Sequence, residues 1–591
     1  MADTIAHRGP DQDDYYVDPD VALGFHRLSI IDLGGGAQPL YNEDGSKVLV
    51  FNGEIYNYRE LRADLVEKGH DFSTHTDSEV VLHGYEEYGP AILDRLRGMF
   101  AFLIWDSVAK ELFGARDIFG IKPLYYYDAH GEFIVGSEIK SFLPHPGFRR
   151  EVNEERLPEY LCFEYLPDRE TMFRDVHKLL AGEYFVYREG QLSRTKYFDF
   201  RYQIESGRSL QQWADEVADV FAESVAAHKI SDVEVGCFLS SGVDSSYATY
   251  ELSRIQSVRS FSVGYAEEQY SELSYAQDFS GHIGVENIST TISADDFFAA
   301  TGTIQYHMDE PLPNPAAVPL YYLARSAAEH VKVVLSGEGA DELFGGYNQY
   351  AEPLSYAPYQ RLTSPRLRRR IAQRVASMPG FKGKRFLMRA AEPIESRFFR
   401  HEYNFTVDER ADYLARPLPS KDPAQFTRPY FDRVQGHDDV TKMQYVDYYT
   451  WLLHDILLKA DKMSMASSLE LRVPFLDREV LKVALRLPPE ARVGRRSTKV
   501  ALREAALRRI PEKTAMKRKL GFPVPLNDWL RQEPYFSQVR EAFTGDVAER
   551  FFVVPKIVAL LDDHRAGAQN MKKIWTVYSF ILWYDEFFVK R

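Results

Sequence analysis

Residues 233 to 337 alternate short apolar runs with segments of helical periodicity, and this order limits the folds open to the chain. The runs VEVGCFL, VRSFSVGY and VKVVLSG predict strands, and SSYATYELSRI and ELSYAQDFSGHIG between them predict helices. Strands separated by helices form parallel pairs with right-handed crossovers. We therefore predict an α/β fold, a doubly wound parallel sheet followed by a mostly helical part beyond about residue 350.

The first 204 residues show a different pattern. Apolar or alternating runs such as KVLVFNGEIYN and GMFAFLIWD predict strands, and Asn-Gly and Gly turns separate them. Only YRELRADLVEKG and DSEVVLHGYEEYG have a helical period among them. A chain of 591 residues is too long for one core. We predict a layered α+β domain over residues 1–204 and a second domain over residues 205–591.

Charge and cysteine content narrow the class of protein. The formal net charge of −15 argues against a broad basic face for nucleic acid. Two cysteines, Cys162 and Cys237, do not support a disulfide framework and fit a reducing compartment. No apolar run is long enough to span a bilayer, and the polar start does not resemble a signal peptide. We expect a cytoplasmic protein with neither nucleic acid nor a membrane as partner.

Marked loops follow the predicted strands, where open parallel sheets bind ligands. They are LSSGVDSS, SVGY and LSGEGADELFGGY. The first can grip an oxyanion with serine hydroxyls and the N–H groups of the next helix, and its glycine permits close backbone approach. Its candidate phosphate-binding residues are Ser240, Ser241, Gly242, Ser245 and Ser246.

Acidic residues in the same loops are unsuited to a bare phosphate. Asp244 in the first loop makes sense as a ligand of Mg²⁺ that is itself bound to the phosphate. Asp341 in the third loop can complete the metal shell, and Glu338 can serve substrate chemistry. The two loops together predict a site for a metal-bound phosphate.

The first loop resembles the pyrophosphate loop of ATP-pyrophosphatases, whose usual form is S-G-G-x-D-S. The resemblance implies cleavage of ATP between its α and β phosphorus atoms, which explains the absence of the lysine found in kinase-type loops. The chain departs from the family at Ser241, where glycine is usual. We expect the serine to be tolerated if its φ is negative.

Longer motifs resemble glutamine-hydrolysing asparagine synthetases. They are SGEGADELFGGY, LLKADKMSMASSLELRVPFLD (457–477) and KRKLGFPVP (517–525). The resemblance implies conversion of aspartate to asparagine through an aspartyl-adenylate, with ATP and Mg²⁺ as cofactors. It also allows a homodimer as the oligomeric state. It also implies site residues. Leu239, Val263, Ser336 and Gly337 would frame the adenine and ribose, Asp244 and Asp341 would hold Mg²⁺, Glu338 would assist adenylation, and Lys519 would offset charge on the intermediate.

The N-terminal motifs HRGPD, HRLSIID, FNGEIYNY and TDSEV resemble class II glutamine amidotransferases, a family of N-terminal nucleophile (Ntn) fold. The resemblance implies a glutamine site in the first domain. Arg27 would bind the glutamine carboxylate, Leu28, Ser29, Ile30 and Ile31 would line the site, Asn52 and Gly53 would form the oxyanion hole, and Glu54 and Asp77 would hold the α-amino group.

The sequence departs from that family at its nucleophile. These glutaminases use an N-terminal cysteine, whereas this chain starts MADTIAHRGPD. Two explanations remain open: the sequence is a truncated form that lacks the first strand and its cysteine, or the protein uses free ammonia. In either case we expect the chain as written not to hydrolyse glutamine.

The sequence is also compatible with other functions. One is a related amidotransferase that acts on another carboxylate, such as a sugar acid or a peptide, and a β-lactam-forming cyclase is a further relative. A non-catalytic scaffold of the same fold is the alternative from a different class.

Overall fold

The computed structural model describes residues 1–399, 404–495, 497–518 and 523–590. Lys519 therefore lies outside the described residues, and its predicted role stays a prediction. Within the described residues every helix is too short or too polar to reach across a bilayer.

Antiparallel strands dominate the first 200 residues, as predicted. They are β1 (Gln12–Val17), β2 (Ala22–Arg27), β3 (Leu40–Tyr41), β4 (Lys47–Ile55), β5 (Gly98–Asp106), β6 (Glu111–Arg116), β7 (Tyr125–Ala129), β8 (Glu132–Gly136), β9 (Val176–Lys178), β10 (Glu183–Arg188) and β11 (Gln191–Lys196). The helices of this part are α1 (Tyr58–Glu67), α2 (Glu79–Tyr88) and α3 (Leu157–Phe163). The main sheet has the order β11-β10-β6-β5-β4-β3, and β1-β2 and β8-β7-β9 form smaller sheets.

The two faces of the main sheet pack against different partners. Successive side chains of a strand point to opposite faces. Val48 and Val50 of β4 therefore join the cluster that contains Leu23 of β2, while Leu49 and Phe51 join the cluster that contains the apolar residues of α1 and α2. The domain thus has helices layered on a sheet, as the sequence predicts, and strand β2 contributes to the packing of the opposite face.

The second half contains a parallel sheet, which confirms the predicted doubly wound fold. Its described strands are β12 (Val235–Phe238), β13 (Arg259–Tyr265), β14 (Glu286–Ile292), β15 (Val333–Leu335) and β16 (Glu470–Arg472), in the order β14-β13-β12-β15-β16. The chain moves outward from β12 to β14 and then returns to β15 beside β12. The strand order therefore reverses between β12 and β15, where such sheets form a ligand crevice.

Helices cover this sheet and form most of the C-terminal part. They are α4 (Leu210–His228), α5 (Val243–Ser253), α6 (Leu273–Ile283), α7 (Ala294–Met308), α8 (Ala317–Ala328), α9 (Ala340–Phe344), α10 (Glu352–Leu362), α11 (Pro365–Ala376), α12 (Lys384–Arg389), α13 (Ile394–Arg397), α14 (Val407–Tyr413), α15 (Ala424–Arg433), α16 (Asp439–Tyr449), α17 (Leu457–Met465), α18 (Arg478–Ala484), α19 (Pro489–Arg492), α20 (Val500–Ala506), α21 (Glu512–Ala515), α22 (Leu526–Trp529), α23 (Tyr535–Phe543), α24 (Asp546–Phe551), α25 (Val554–Arg565) and α26 (Met571–Tyr584). Ser209 and Ser293 begin α4 and α7 with capping boxes, in which serine and the residue three positions later satisfy each other's backbone N–H.

Candidate functional site

A cavity of about 390 Å³ opens at the carboxyl ends of the parallel strands. It lies where the strand order reverses, and residues of all three predicted loops meet in its wall. The predicted site residues that line it are Leu239, Ser240, Asp244, Ser245, Val263, Ser336, Gly337, Glu338 and Asp341. Ser241 and Gly242 lie in the turn before α5 and Ser246 lies at the start of that helix, and none of the three lines the cavity.

The first loop is held as a compact turn by its own hydroxyls. The Ser240 and Ser245 Oγ atoms are 2.9 Å apart, and the Gly242 N–H donates to the Ser240 Oγ at 3.2 Å. Helix α5 begins directly after Gly242, which supplies no side-chain cap to its first N–H groups. Uncapped N–H groups beside hydroxyls form a suitable cradle for phosphate.

A glycine brings the third loop against the first. A Cβ at position 337 would lie 2.8 Å from the backbone N of Ser245 and 2.9 Å from the Cβ of Asp244. A side chain at position 337 would therefore push the two loops apart. Because this residue is glycine, both loops can line the same cavity.

The two predicted metal ligands meet at one cation of the protein itself. The Lys499 Nζ lies 2.5 Å from the Asp244 Oδ2 and 2.6 Å from the Asp341 Oδ1, and this lysine is 1% exposed. The Oδ1 of Asp244 has no hydrogen-bond partner among the described residues. Two carboxylates that already converge on one positive charge fit a hard divalent cation such as Mg²⁺. Sequence reasoning missed Lys499, because it precedes α20, far from every loop motif.

Glu342 follows Asp341 in the chain and adds a buried carboxyl group beside it. Burial and the neighbouring charge of Asp341 raise the pKa of Glu342 to about 8, and the Tyr347 hydroxyl donates to it at 2.6 Å. The raised pKa favours the neutral form of Glu342, which therefore adds little negative charge beside Asp341.

Ser241, the departure from the usual loop, makes a bond that glycine could not. It is not among the described residues with positive φ, which meets the condition set from the sequence. Its Oγ donates to the Glu272 Oε1 at 2.5 Å, and the same carboxylate pairs with Lys517 at 2.9 Å. The loop is thereby tied to the segment that leads to Lys519.

A second cavity, also of about 390 Å³, lies in the N-terminal domain. The carboxyl ends of β2 and β4 and the segment before α2 contribute to its wall. The predicted glutamine-site residues that line it are Arg27, Leu28, Ile30, Ile31, Asn52, Gly53, Glu54 and Asp77. Ser29 does not line it; its backbone N–H instead donates to Asp11.

Arg27 is fixed as a buried cation in this wall. Its guanidinium donates to the Gln12 side chain at 2.9 Å and to the backbone carbonyls of Ile31 and Asp32 at 2.8 Å. A guanidinium held by neutral acceptors keeps its charge available for a ligand carboxylate.

Asn52 and Gly53 have the features of an oxyanion hole. The Asn52 Nδ2 is buried without a partner among the described residues, so it is a donor that a ligand could satisfy. Gly53 has φ of 153° and a Cβ there would lie 2.0 Å from the Met99 carbonyl oxygen. Only glycine fits this strand position, and a preorganised donor beside it suits a developing oxyanion.

The predicted ammonium ligands Glu54 and Asp77 are deeply buried acids. Burial raises the pKa of Asp77 to about 6 and raises that of Glu54 well above its usual value. The Ile55 N–H donates to Asp77 at 2.7 Å. One oxygen of Glu54 accepts from Arg472 of β16 at 2.5 Å, while its Oε1 has no hydrogen-bond partner among the described residues. Glu54 therefore also joins the two halves, a role the sequence did not indicate.

Buried ion pairs extend this junction between the halves. Arg8 bonds Asp461 at 2.8 Å and Glu138 at 2.9 Å, and Lys122 lies 3.6 Å from Asp461 and 3.9 Å from Glu470. Arg8, Lys122 and Glu470 also line the N-terminal cavity. The cavity floor is thus built from charges of both halves.

Neither cysteine belongs to this cavity. None of the described residues that line it is a cysteine. Cys162 lies in α3 and Cys237 in β12, both buried, and burial raises the pKa of Cys237 to about 12. A buried thiol of that pKa is not a nucleophile.

The fold and the two cavities define a class: a glutamine amidotransferase domain joined to a ligase domain of the ATP-pyrophosphatase type. Residues 1–198 match the family model described as a glutamine amidotransferase domain, and residues 216–585 match the family model described as asparagine synthase. The chain belongs to the asparagine synthase family.

The similarity to relatives extends over nearly the whole chain. It is 42% identical over 598 residues to asparagine synthetase [glutamine-hydrolyzing] 1 of Bacillus subtilis, covering 100% of this chain and 94% of that protein. It is 41% identical to a putative asparagine synthetase of Mycobacterium tuberculosis, covering 99% of this chain and 92% of the other. Asparagine synthetase B of Escherichia coli is 33% identical over 58% of this chain and 60% of its own length.

Proposed function

We propose that this protein is an asparagine synthetase, which forms asparagine from aspartate with ATP cleaved to AMP and pyrophosphate. The observation that carries the proposal is the 42% identity over the whole chain to a glutamine-hydrolysing asparagine synthetase. The convergence of Asp244, Asp341 and the serine turn in one cavity supports it independently.

The first step activates the aspartate β-carboxylate. A carboxylate oxygen attacks the α-phosphorus of ATP, the bond from that phosphorus to the bridging oxygen breaks, and pyrophosphate leaves with the electron pair. Ser240, Ser245 and the first N–H groups of α5 would bind the leaving pyrophosphate. Asp244 and Asp341 would hold Mg²⁺, which supplies charge neutralisation for the phosphates.

The second step forms the amide. Ammonia attacks the acyl carbon of the aspartyl-adenylate, AMP leaves, and the nitrogen loses a proton. Glu338 lies in the cavity wall, where it could orient the reacting groups. Leu239, Val263, Ser336 and Gly337 would frame the nucleoside, and Lys519 would offset negative charge on the intermediate.

The two cavities would have different functions, and the N-terminal one concerns the source of nitrogen. The N-terminal cavity would bind glutamine with Arg27 at its carboxylate, Glu54 and Asp77 at its ammonium, and Asn52 and Gly53 at its amide oxygen. Leu28, Ser29, Ile30 and Ile31 would shape the site. Since no cysteine lines the described cavity, we propose that the 591-residue chain uses ammonia.

The test measures aspartate-dependent pyrophosphate release by the purified chain with ATP, Mg²⁺ and ammonium. We expect asparagine and pyrophosphate in equal amounts, and no asparagine when glutamine replaces ammonium. Glu338→Gln should slow the reaction, whereas Glu329→Gln, at an exposed glutamate after α8, should not. Pyrophosphate release with another carboxylate but not with aspartate would instead identify an amidotransferase of different acceptor, and no release with any acid would indicate a scaffold.

We place the domain boundary at residues 204–205, and propose a homodimer in the cytoplasm that acts on small molecules alone. The acidic net charge of −15 supports the absence of a nucleic-acid partner. Sedimentation analysis of the purified chain tests the dimer.

A further inference from the structure

Two histidines and two glutamates meet at the surface of the N-terminal domain, away from the residues that line its cavity. They are Glu43, His70, His83 and Glu86, and one potential ligand atom from each lies within 4.8 Å of the others. Glu43 follows β3, His70 follows α1, and the other two lie three positions apart on α2. The cluster therefore joins three elements that are separate in sequence.

Three of the distances between the donor atoms fall in the range expected for a tetrahedral metal site. The Glu43 Oε1 lies 3.4 Å from both the His70 Nδ1 and the His83 Nδ1, and the Glu86 Oε2 lies 3.3 Å from the His83 Nδ1. Ligands bound at roughly 2.0–2.2 Å in a tetrahedron are about 3.3–3.6 Å apart. Charge-assisted hydrogen bonds are shorter, at about 2.7–2.9 Å.

A further carboxylate lies near the Nε2 atom of each histidine. The His83 Nε2 lies 3.5 Å from the Glu79 Oε1, and Glu79 accepts from the backbone and hydroxyl groups of Ser73 and Thr74 at 2.6 to 2.8 Å. The His70 Nε2 lies 3.7 Å from Glu87. A carboxylate behind one ring nitrogen sets the tautomer that offers the other nitrogen to a metal.

A hydrogen bond also orients Glu86, the acidic member of the cluster on α2. The Asn42 Nδ2 donates to the Glu86 Oε1 at 2.7 Å, which leaves the Oε2 facing His83. His83 is 1% exposed, whereas Glu43 is 38% exposed, so the cluster has one buried ligand and an open side. A cation can therefore enter from solvent and reach a ligand that is fixed by packing.

A protonated His83 is the competing state of this cluster. Burial lowers the pKa of His83, but its interactions with the carboxylates of Glu79, Glu86 and Glu43 outweigh burial and raise the pKa to about 9. A proton on His83 would balance the same carboxylates that a cation would. The two states differ in whether the Nδ1 holds a proton or a metal, which metal analysis distinguishes.

We propose that Glu43, His70, His83 and Glu86 form a structural zinc site that fastens α2 to α1 and to the turn after β3. Two imidazoles and two carboxylates are ligands that Zn²⁺ accepts, and four protein ligands make a closed, structural centre. Asp77 lies just before α2, so the site also braces the helix next to a wall residue of the N-terminal cavity.

The test uses the untagged 591-residue chain, stripped with chelator and titrated calorimetrically with Zn²⁺. We expect one zinc per chain, and the visible absorption of tetrahedral Co²⁺ when cobalt replaces it. His70→Asn and Glu43→Gln change partly exposed ligands, so the fold should survive, and each should weaken zinc binding at least about 100-fold. The control is His282→Asn, at an exposed histidine of α6, which should bind zinc like the unaltered chain.

Thermal unfolding supplies a second readout. Chelator should lower the melting temperature of the zinc-loaded chain and of His282→Asn, but not that of His70→Asn. Absence of zinc binding in the correctly folded chain would overturn the proposal and assign the cluster to protonated His83. Equal zinc affinity in His70→Asn and the unaltered chain would also overturn it, by placing the metal elsewhere.

Discussion

The two cavities have the same volume, about 390 Å³, and a pair of predicted acidic ligands lines each of them. The two pairs differ in the positive charges that stabilise them. In the cavity at the end of the parallel sheet, for which we propose nucleotide binding and which is called the nucleotide cavity below, Asp244 and Asp341 share the ammonium of Lys499. In the N-terminal cavity Arg472 bonds both Glu54 and Glu470, and burial raises the pKa of Asp77 to about 6.

This difference indicates which ligand each pair suits. Two carboxylates that converge on one compact charge are arranged for exchange between an ammonium and a divalent cation. Burial raises the pKa of both acids of the N-terminal pair even though Arg472 bonds Glu54, so the positive charge of a ligand ammonium would stabilise their ionised forms. The comparison predicts that the nucleotide cavity depends on a cation of the protein, whereas the N-terminal cavity depends on backbone shape and on pH.

Removal of the shared lysine should have the largest effect. Lys499→Met leaves two neighbouring carboxylates buried without their partner, and the loss of one member of a buried ion pair costs about 3–5 kcal/mol. Urea unfolding should show this loss of stability, and Mg²⁺ should restore more of it in the variant than it adds to the unaltered chain.

The control for that experiment is Lys482→Met, at a lysine that is 61% exposed and pairs with Glu479. Exposed pairs contribute about 0–1 kcal/mol, so little change is expected. A similar small cost for Lys499→Met, or no response to Mg²⁺, would contradict the idea that the two carboxylates exchange one cation for another.

Asp341→Asn should have the next largest effect, on catalysis. The amide is nearly isosteric but binds Mg²⁺ weakly, and loss of electrostatic stabilisation of this kind slows turnover about 10²–10³-fold. Steady-state pyrophosphate release with saturating ATP and aspartate measures it. Asp563→Asn, at an exposed position of α25, is the matched control. Equal rates for the two variants would remove Asp341 from the proposed metal shell.

Gly53→Ala tests the shape of the N-terminal cavity. The added Cβ would lie 2.0 Å from the Met99 carbonyl oxygen, so either β4 or β5 must move. We expect a cost of roughly 2–3 kcal/mol in the free energy of unfolding. Gly281→Ala within α6 meets open space and should be neutral or stabilising by up to about 1 kcal/mol. Equal stabilities would mean that the strand relaxes easily and that shape does not restrict this position.

Sequence patterns predicted the strands that are marked by an apolar run of their own. The apolar runs of β12, β13 and β15 are buried in the parallel sheet, and the strand-end rule placed their loops in one cavity. Strand β16 was missed because it is only Glu470–Arg472, whose charged ends resemble a surface segment. The partner that allows Arg472 to be buried is distant in the chain, since it bonds Glu54, which is 418 positions away.

The same limit applies to the site. The loop motifs placed Asp244 and Asp341, but the lysine between them lies 255 positions from Asp244 in the chain. Likewise Glu43, His70, His83 and Glu86 have no shared motif, since the packing of α1 and α2 brings them together. Periodicity predicts which face of an element is buried, and it does not predict which charged side chains of distant elements meet there.

The pH dependence of glutamine binding should show the smallest effect and depends on Asp77. Burial raises its pKa in the folded chain to about 6 from 3.8, so the carboxylate that would hold the ligand ammonium is mostly ionised at pH 7 and mostly protonated at pH 5. Glutamine affinity should therefore fall about tenfold between these values. The ionised form destabilises the fold, so the contribution of Asp77 to stability should rise as pH falls from about 6 to 4. Calorimetric titration with glutamine from pH 5 to 8 measures the first effect and urea unfolding the second, and Asp77→Asn should flatten both profiles. An unaltered profile in Asp77→Asn would assign the titration to Glu54 and leave the ammonium site without its second acid.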